Sequence, residues 1–128
     1  MWPMPIIVGA PRSGTSLPRM MLDAHPQLSI PPETDFLAAV AAAQQGQSDI
    51  SRETLFETLT DFPPSEPDWN DFALPKDKFW DALCGISHFS AADGIRSVYR
   101  LYAQRFNKSH FGDKTPGYCM HMPHIQHL

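Results

Sequence analysis

Ile6-Ile7-Val8-Gly9-Ala10-Pro11-Arg12-Ser13-Gly14-Thr15-Ser16-Leu17 is the stretch on which the fold turns. The consecutive β-branched residues Ile6, Ile7 and Val8 lie in a short apolar run over 5–10, of the kind that is buried on both faces of a parallel sheet, and predict a first strand. The residues from Gly9 to Gly14 cannot continue it. Beyond the turn, Leu17, Met20, Met21 and Ala24 recur at helical spacing until His25 and Pro26 close the element. Leu28, Ser29 and Ile30 then predict a second short strand. The order strand, tight loop, helix, strand is met most economically by a βαβ unit with a parallel sheet.

The turn has its own chemistry. Gly9 and Gly14 enclose Ala10-Pro11-Arg12-Ser13, the spacing of a phosphate-binding P-loop. Glycine at both ends lets the backbone wrap closely around an oxyanion, leaving amide N–H groups and the positive end of the helix dipole aimed at it. Ser13, Thr15 and Ser16 add hydroxyl donors at the same mouth. Thr15 stands where a nucleotide triphosphatase carries lysine, and the cation of the turn is Arg12 instead. Without that lysine, and without an evident acidic strand to hold magnesium, the loop is less suited to metal-assisted transfer of a γ-phosphoryl group. It remains suited to gripping a phosphate while a guanidinium neutralises charge on a transferred group.

Composition narrows the choices. A chain of 128 residues, 42% hydrophobic and 19% charged, is sized for one globular domain, 1–128. The net charge of -4 argues against nucleic acid as a partner, because covering a phosphate backbone needs a surplus of Lys and Arg on one face. A few fixed cations in one cleft can still bind a small anion. No stretch has the run of apolar residues a membrane span requires, and the opening residues lack the basic segment and apolar core of a signal peptide. The expectation is a soluble, cytoplasmic protein with no membrane span. Cys84 and Cys119 form no CxxC pair, so reduced, buried thiols are expected.

Further along, helices are predicted over 37–43, over 51–59 with Leu55, Phe56 and Leu59 on one face, over 76–83, and over 91–106. The last is opened by Ser90 with Asp93 three residues on, and lined by Ile95, Val98, Tyr99, Tyr102 and Phe106. Proline and Asp/Asn residues make 62–75 a loop, which Trp69 and Phe72 would pin to the body. His110 to Lys114 reads as a strand edge, and Pro123 as the start of a last helix. Phe79, Trp80 and Phe89 read as packing residues alongside Tyr99, Tyr102 and Phe106.

The run from Val8 to Leu17, followed by Met21-Leu22-Asp23-Ala24-His25-Pro26, resembles the 5'-phosphosulfate loop and first helix of sulfotransferases that use 3'-phosphoadenosine 5'-phosphosulfate. It is most similar to those of the tyrosylprotein type. The likeness extends to Pro32-Glu33-Thr34 and more weakly to Gly112-Asp113-Lys114-Thr115-Pro116. It implies an α/β, P-loop-like sulfotransferase fold, with a short parallel sheet flanked by helices. The nucleotide is then the sulfuryl donor, no metal is needed, and the acceptor is a hydroxyl of a small molecule or peptide. The resemblance further implies that Pro11, Arg12, Ser13, Gly14, Thr15 and Ser16 bind the donor, that Arg12 contacts the transferring group, that Glu33 is the general base, and that Lys114 approaches the oxygen bridging sulfur and phosphorus.

Each role has a plainer alternative. Arg12 could pair with a surface carboxylate, Glu33 could favour the start of the next helix, and Lys114 could be a solvated strand-end lysine neutralised by Asp113. Asp35 is a substitute base. His25 reads as a cap of the first helix. His110, His121, His124 and His127 crowd one stretch, but their spacing and Pro123 argue against a metal site. Pro18 fits only in the first helical turn. The family's 3'-phosphate site has no counterpart before Leu128, so the chain reads as the N-terminal, nucleotide-binding portion of such an enzyme. Two rival functions stand beside it: a Mg-ATP-dependent P-loop phosphotransferase, and an inactive phosphate-binding fragment.

Overall fold

The structure is a computed structural model, and residues 2–47, 49–61 and 69–126 are described. The first part of the 62–75 loop and His127 lie outside these residues. In chain order the elements are β1 (Ile6–Ile7), α1 (Ser16–Asp23), β2 (Leu28–Ser29), α2 (Phe36–Gln44), α3 (Arg52–Thr60), α4 (Lys76–Cys84), α5 (Ala91–Arg105), β3 (His110–Phe111), β4 (Asp113–Lys114) and α6 (Met122–Ile125). Tight 3-10 turns occupy Trp69–Phe72 and Pro116–Met120. This is the α/β architecture expected, with short parallel strands among helices.

Local chemistry explains most boundaries. Ser51 and Ser90 cap α3 and α5, each accepting the N–H three residues on, from Thr54 and Asp93 at 3.1 Å. A serine cap of this kind is worth about 1 kcal/mol. Ser90 also donates to the Asp93 carboxylate at 2.8 Å. Pro18 is the third residue of α1, where its missing N–H costs nothing, because the first-turn donors have no intrahelical partner. After α1 the His25 Nδ1 accepts the Gln27 N–H at 3.1 Å, so the ring braces the turn that follows the helix.

The strands assemble differently from a simple βαβ pair. β1 runs parallel to β4, and β2 runs parallel to β3. Residues 110–114 therefore pair with both earlier strands, β3 with β2 and β4 with β1, in two separate two-stranded sheets. The His110 and Gly112 N–H groups donate to Gln27 O and Ser29 O at 2.8 and 2.9 Å, and the Asp113 N–H donates to Pro5 O at 3.0 Å. The segment changes partner at Gly112. A Cβ there would lie 2.7 Å from both the Pro5 carbonyl oxygen and Ile30 Cδ1, too close for real atoms.

The core is one-sided. Helices α2 to α5 and the 69–72 turn enclose an apolar cluster containing Phe36, Val40, Leu55, Leu59, Trp69, Phe72, Phe79, Leu83, Ile95, Val98 and Tyr99. Trp69 also donates to the Leu74 carbonyl at 2.7 Å, so this turn is anchored as expected, in helical form. The opposite flank is thin. β1 is only half-buried, and Leu17, Met20 and Met21 of α1 are exposed. Phe106, expected to pack, is exposed just beyond α5, and both cysteines are exposed thiols, against the expectation of buried ones. No helix among the described residues is long and apolar enough to cross a membrane.

Gly112→Ala is expected to lower stability by about 1–3 kcal/mol, since the contact at risk includes main chain that cannot rotate away. Urea unfolding checks this. A midpoint equal to the wild type would show that the strand junction has slack.

Candidate functional site

Parallel strands deliver their carboxyl ends to one edge, and ligands of open α/β sheets bind outside that edge. Here the edge collects the loop after β1, the segment after β2 and the end of β4. Between them lies a cleft of about 430 Å³ lined by Pro11, Arg12, Gly14, Thr15, Ser16, Glu33, Asp35, Lys114, Thr115, Pro116 and Gly117. Residues far apart in the chain thus face one cavity, and nearly all of them were singled out from the sequence.

The loop holds a tense shape. Gly14 has φ +85°, open to glycine at no cost, but Arg12 has φ +62°, which for a residue with a side chain costs about 1–2 kcal/mol. The loop is pinned at its entry by the Gly9 N–H donating to Pro116 O and internally by the Ser13 N–H donating to Ala10 O, both at 3.2 Å. Ser13 does not line the cleft: its amide is engaged and its hydroxyl turns back over Gly9, where an added Cβ would sit 2.9 Å from it. Thr15 and Ser16 open α1 into the cleft, and no side chain caps that helix. Its first-turn amides and dipole are left for an anion. Arg12 is exposed, and among the described residues it pairs with no carboxylate.

Opposite the loop, Lys114 Nζ donates to Glu33 Oε2 at 3.4 Å. The lysine side chain is only 8% exposed, while the glutamate is 47% exposed. Lys114 is therefore not a solvated strand-end lysine. Asp113 does not neutralise it either, because successive strand residues face opposite ways and the Asp113 carboxylate points inward. A buried ammonium needs an anion nearby, and the half-exposed Glu33 serves without being desolvated itself. Nor does Glu33 cap α2, whose N-cap position is Asp35. Asp35 also faces the cleft.

Sequence reading missed what lies behind the pair. The Asp113 carboxylate is fully buried and accepts hydrogen bonds at Oδ2 from Thr34 Oγ1, at 3.0 Å, and from the Tyr99 hydroxyl. The Glu33-bearing segment is also tied to α1: Arg19 Nε donates to Ile30 O and Pro31 O at 3.1 Å, and the Ile30 N–H donates to Asp23 Oδ1 at 2.8 Å. Strand alternation was the available signal for Asp113. Nothing in the sequence marked Tyr99, separated from Asp113 by 14 residues and read only as a packing residue. Of the four histidines, His121 and His124 have ring centroids 6.5 Å apart. Among the described residues no group of three potential metal ligands comes together.

The profile of the sulfotransferase family matches residues 3–128, and the chain belongs to that family. A protein-tyrosine sulfotransferase 2 of Gallus gallus is 45% identical over 53 residues, 41% of this chain and 14% of that enzyme. The protein-tyrosine sulfotransferases 1 of Homo sapiens and Danio rerio are each 43% identical over 53 residues, covering 14% and 15% of their own lengths. The chain thus matches only a small part of these relatives. No solved structure matches it.

Burial raises the Asp113 carboxyl above its ordinary value of 3.8; hydrogen bonds from Tyr99 and Thr34 oppose the shift, and the charge of Glu33 adds to it. Between the ordinary and the raised value the native state keeps a proton that the unfolded chain has released, so the unfolded state binds fewer protons and stability falls as pH rises. The stability of the wild type relative to Asp113→Asn should accordingly decline from about pH 4 upward until the native carboxyl is ionised. Urea titrations across that range check the slope, and a rise would contradict the buried carboxyl.

Proposed function

We propose that the complete protein is a sulfotransferase that moves a sulfuryl group from 3'-phosphoadenosine 5'-phosphosulfate to an acceptor hydroxyl. The observation that carries this reading is the single cleft in which an uncapped helix N-terminus and Arg12 face a Glu33–Lys114 pair. The residues fit such a donor. Gly14, Thr15 and Ser16, with amides at the opening of α1, would hold the 5'-phosphate, and Pro11 shapes the turn beside them. Arg12, unpaired and at the mouth, would meet the sulfuryl oxygens.

In the reaction an acceptor oxygen attacks sulfur as the bond from sulfur to the bridging oxygen breaks. The acceptor proton passes to a carboxylate and negative charge gathers on the leaving phosphate. Glu33 is the proton acceptor in this reading, half-exposed at the cleft and within reach of an entering hydroxyl. Lys114 and the loop amides stabilise the leaving phosphate, in a site where fixed donors need not reorganise. The ion pair links the two roles. Before the donor arrives, Lys114 is neutralised by Glu33; when the donor binds, the ammonium, which carries three N–H donors, meets its phosphate from the same position beside the base. A peptide acceptor follows the names of the relatives, protein-tyrosine sulfotransferases. A cytoplasmic setting remains part of the proposal.

Two measurements test the proposal. Calorimetry should show adenosine 3',5'-bisphosphate binding without added metal; binding of ATP that depends on magnesium, with none of the bisphosphate, would favour a phosphotransferase. In the full-length protein Arg12→Ala should lower turnover about 10²- to 10³-fold, the usual cost of removing one fixed donor from a developing charge, with little change in thermal midpoint. Equal damage to turnover and stability would make Arg12 structural. Glu33→Gln should abolish the dependence of rate on a basic group, and an unchanged pH–rate profile would exclude Glu33 as the base.

A further inference from the structure

Glu33 and Lys114 each have a chain neighbour whose side chain turns away from the cleft into the protein. Thr34 and Asp113 are fully buried, and the hydroxyls of Tyr99 from α5 and Tyr118 from the 116–120 turn reach the same point. With the Thr34 and Tyr99 protons both given to Asp113 Oδ2, the 3.1 Å approach of Thr34 Oγ1 to the Tyr99 hydroxyl has no proton of its own, and the remaining directions follow. Thr34 has one hydroxyl proton; giving it to Asp113 Oδ2 at 3.0 Å obliges Tyr118 to donate to Thr34 at 2.9 Å. The Tyr118 oxygen is then free to accept the Leu37 N–H at 3.1 Å. Tyr99 donates its own proton to Asp113 Oδ2. The chain of donors ends on one carboxylate oxygen. Alongside it the main chains are clasped: the Thr34 N–H donates to Thr115 Oγ1 at 3.0 Å, and Thr115 Oγ1 donates to Thr34 O at 2.6 Å.

We propose that this buried cluster of Thr34, Tyr99, Asp113 and Tyr118 is a positioning device that sets the separation of Glu33 from Lys114. The inference rests on the reading of those two residues as reacting groups. Its logic is energetic. A buried carboxylate is costly, and Asp113 Oδ1 is buried with no partner among the described residues. Apolar side chains of similar volume would fill the space at no polar cost and leave the fold as stable or more so. What they would lack is direction: packing tolerates sliding between the 33–34 and 113–115 segments, whereas a closed set of hydrogen bonds does not. The pair they hold has an N–O distance of 3.4 Å, and a shift of about 1 Å in reacting groups costs up to about 100-fold in rate. Tyr99 contributes through α5 without lining the cleft, and is a positioning residue rather than a catalytic one.

Crystal structures and kinetics of full-length Thr34→Val, Tyr99→Phe and Thr34→Ser variants test this, with two independent disruptive variants in case one does not fold. In Thr34→Val and Tyr99→Phe the Lys114–Glu33 separation should open beyond the 4 Å limit of an ion pair. Turnover of a tyrosine-containing peptide should then fall about 10- to 100-fold while the affinity for adenosine 3',5'-bisphosphate stays within about twofold. Thr34→Ser, which keeps the hydroxyl, should restore both distance and rate. An unchanged separation in the folded variants overturns the inference, as does a parallel loss of turnover and nucleotide affinity. If the separation opens as expected but Glu33→Gln leaves catalysis intact, the positioning device stands and the assignment of the base falls.

Discussion

The N–H groups of His110, Gly112 and Asp113 decide where the rest of this molecule goes. By donating to Gln27, Ser29 and Pro5 they wedge one extended segment between two strands that do not pair with each other. All strands then run the same way, and the loops leaving their carboxyl ends have one side of the sheet to occupy. The phosphate-type loop, Glu33 and Lys114 meet because of that register. A shift of one residue would exchange Asp113 for Lys114 at the cleft and bury an ammonium where the carboxylate now sits.

Around the register the molecule separates two kinds of stabilisation. The helical side is held by ordinary apolar burial, with aromatic rings of Phe36, Trp69, Phe72 and Phe79 stacked in succession. The cleft side is held by polar contacts that are directional and individually modest. Burial raises Tyr99 and Tyr118 above their ordinary value, so both hydroxyls keep their protons and remain donors at any physiological pH. Strength is invested where shape alone matters, and direction where a reaction needs it.

The opening strand, loop and helix were legible because each has a local cause: β-branched run, glycine pair, helical spacing. The capping Ser90 placed α5 equally well, and the apolar face of Leu55, Phe56 and Leu59 placed α3. The strand order was not legible, because it depends on which of two neighbours residues 110–114 choose, and two-residue strands carry no periodicity to announce it. Arg12, Glu33 and Lys114 were found through a motif resemblance, and the structure brings them to one cavity. The support behind them was hidden. Tyr99 sits on the apolar face of a regular helix, and only the fold shows that its hydroxyl reaches a carboxylate rather than a void. The exposed Leu17, Met20 and Met21 mislead in the opposite sense, since helical spacing says that a face is apolar and not that anything covers it.

The left-handed backbone at Arg12 sets two demands on one position against each other. Glycine there would relax the turn but remove the guanidinium; any other residue keeps the conformational penalty and gives up the charge, except lysine, which keeps the charge but gives up the planar fork of donors. Of these options arginine alone answers the chemistry at the expense of the backbone. The position is therefore a narrow point for sequence drift: the substitution that eases the backbone removes the cation from the mouth of the cleft, and under the proposed function glycine at residue 12 would mark a copy that keeps its shape without its reaction.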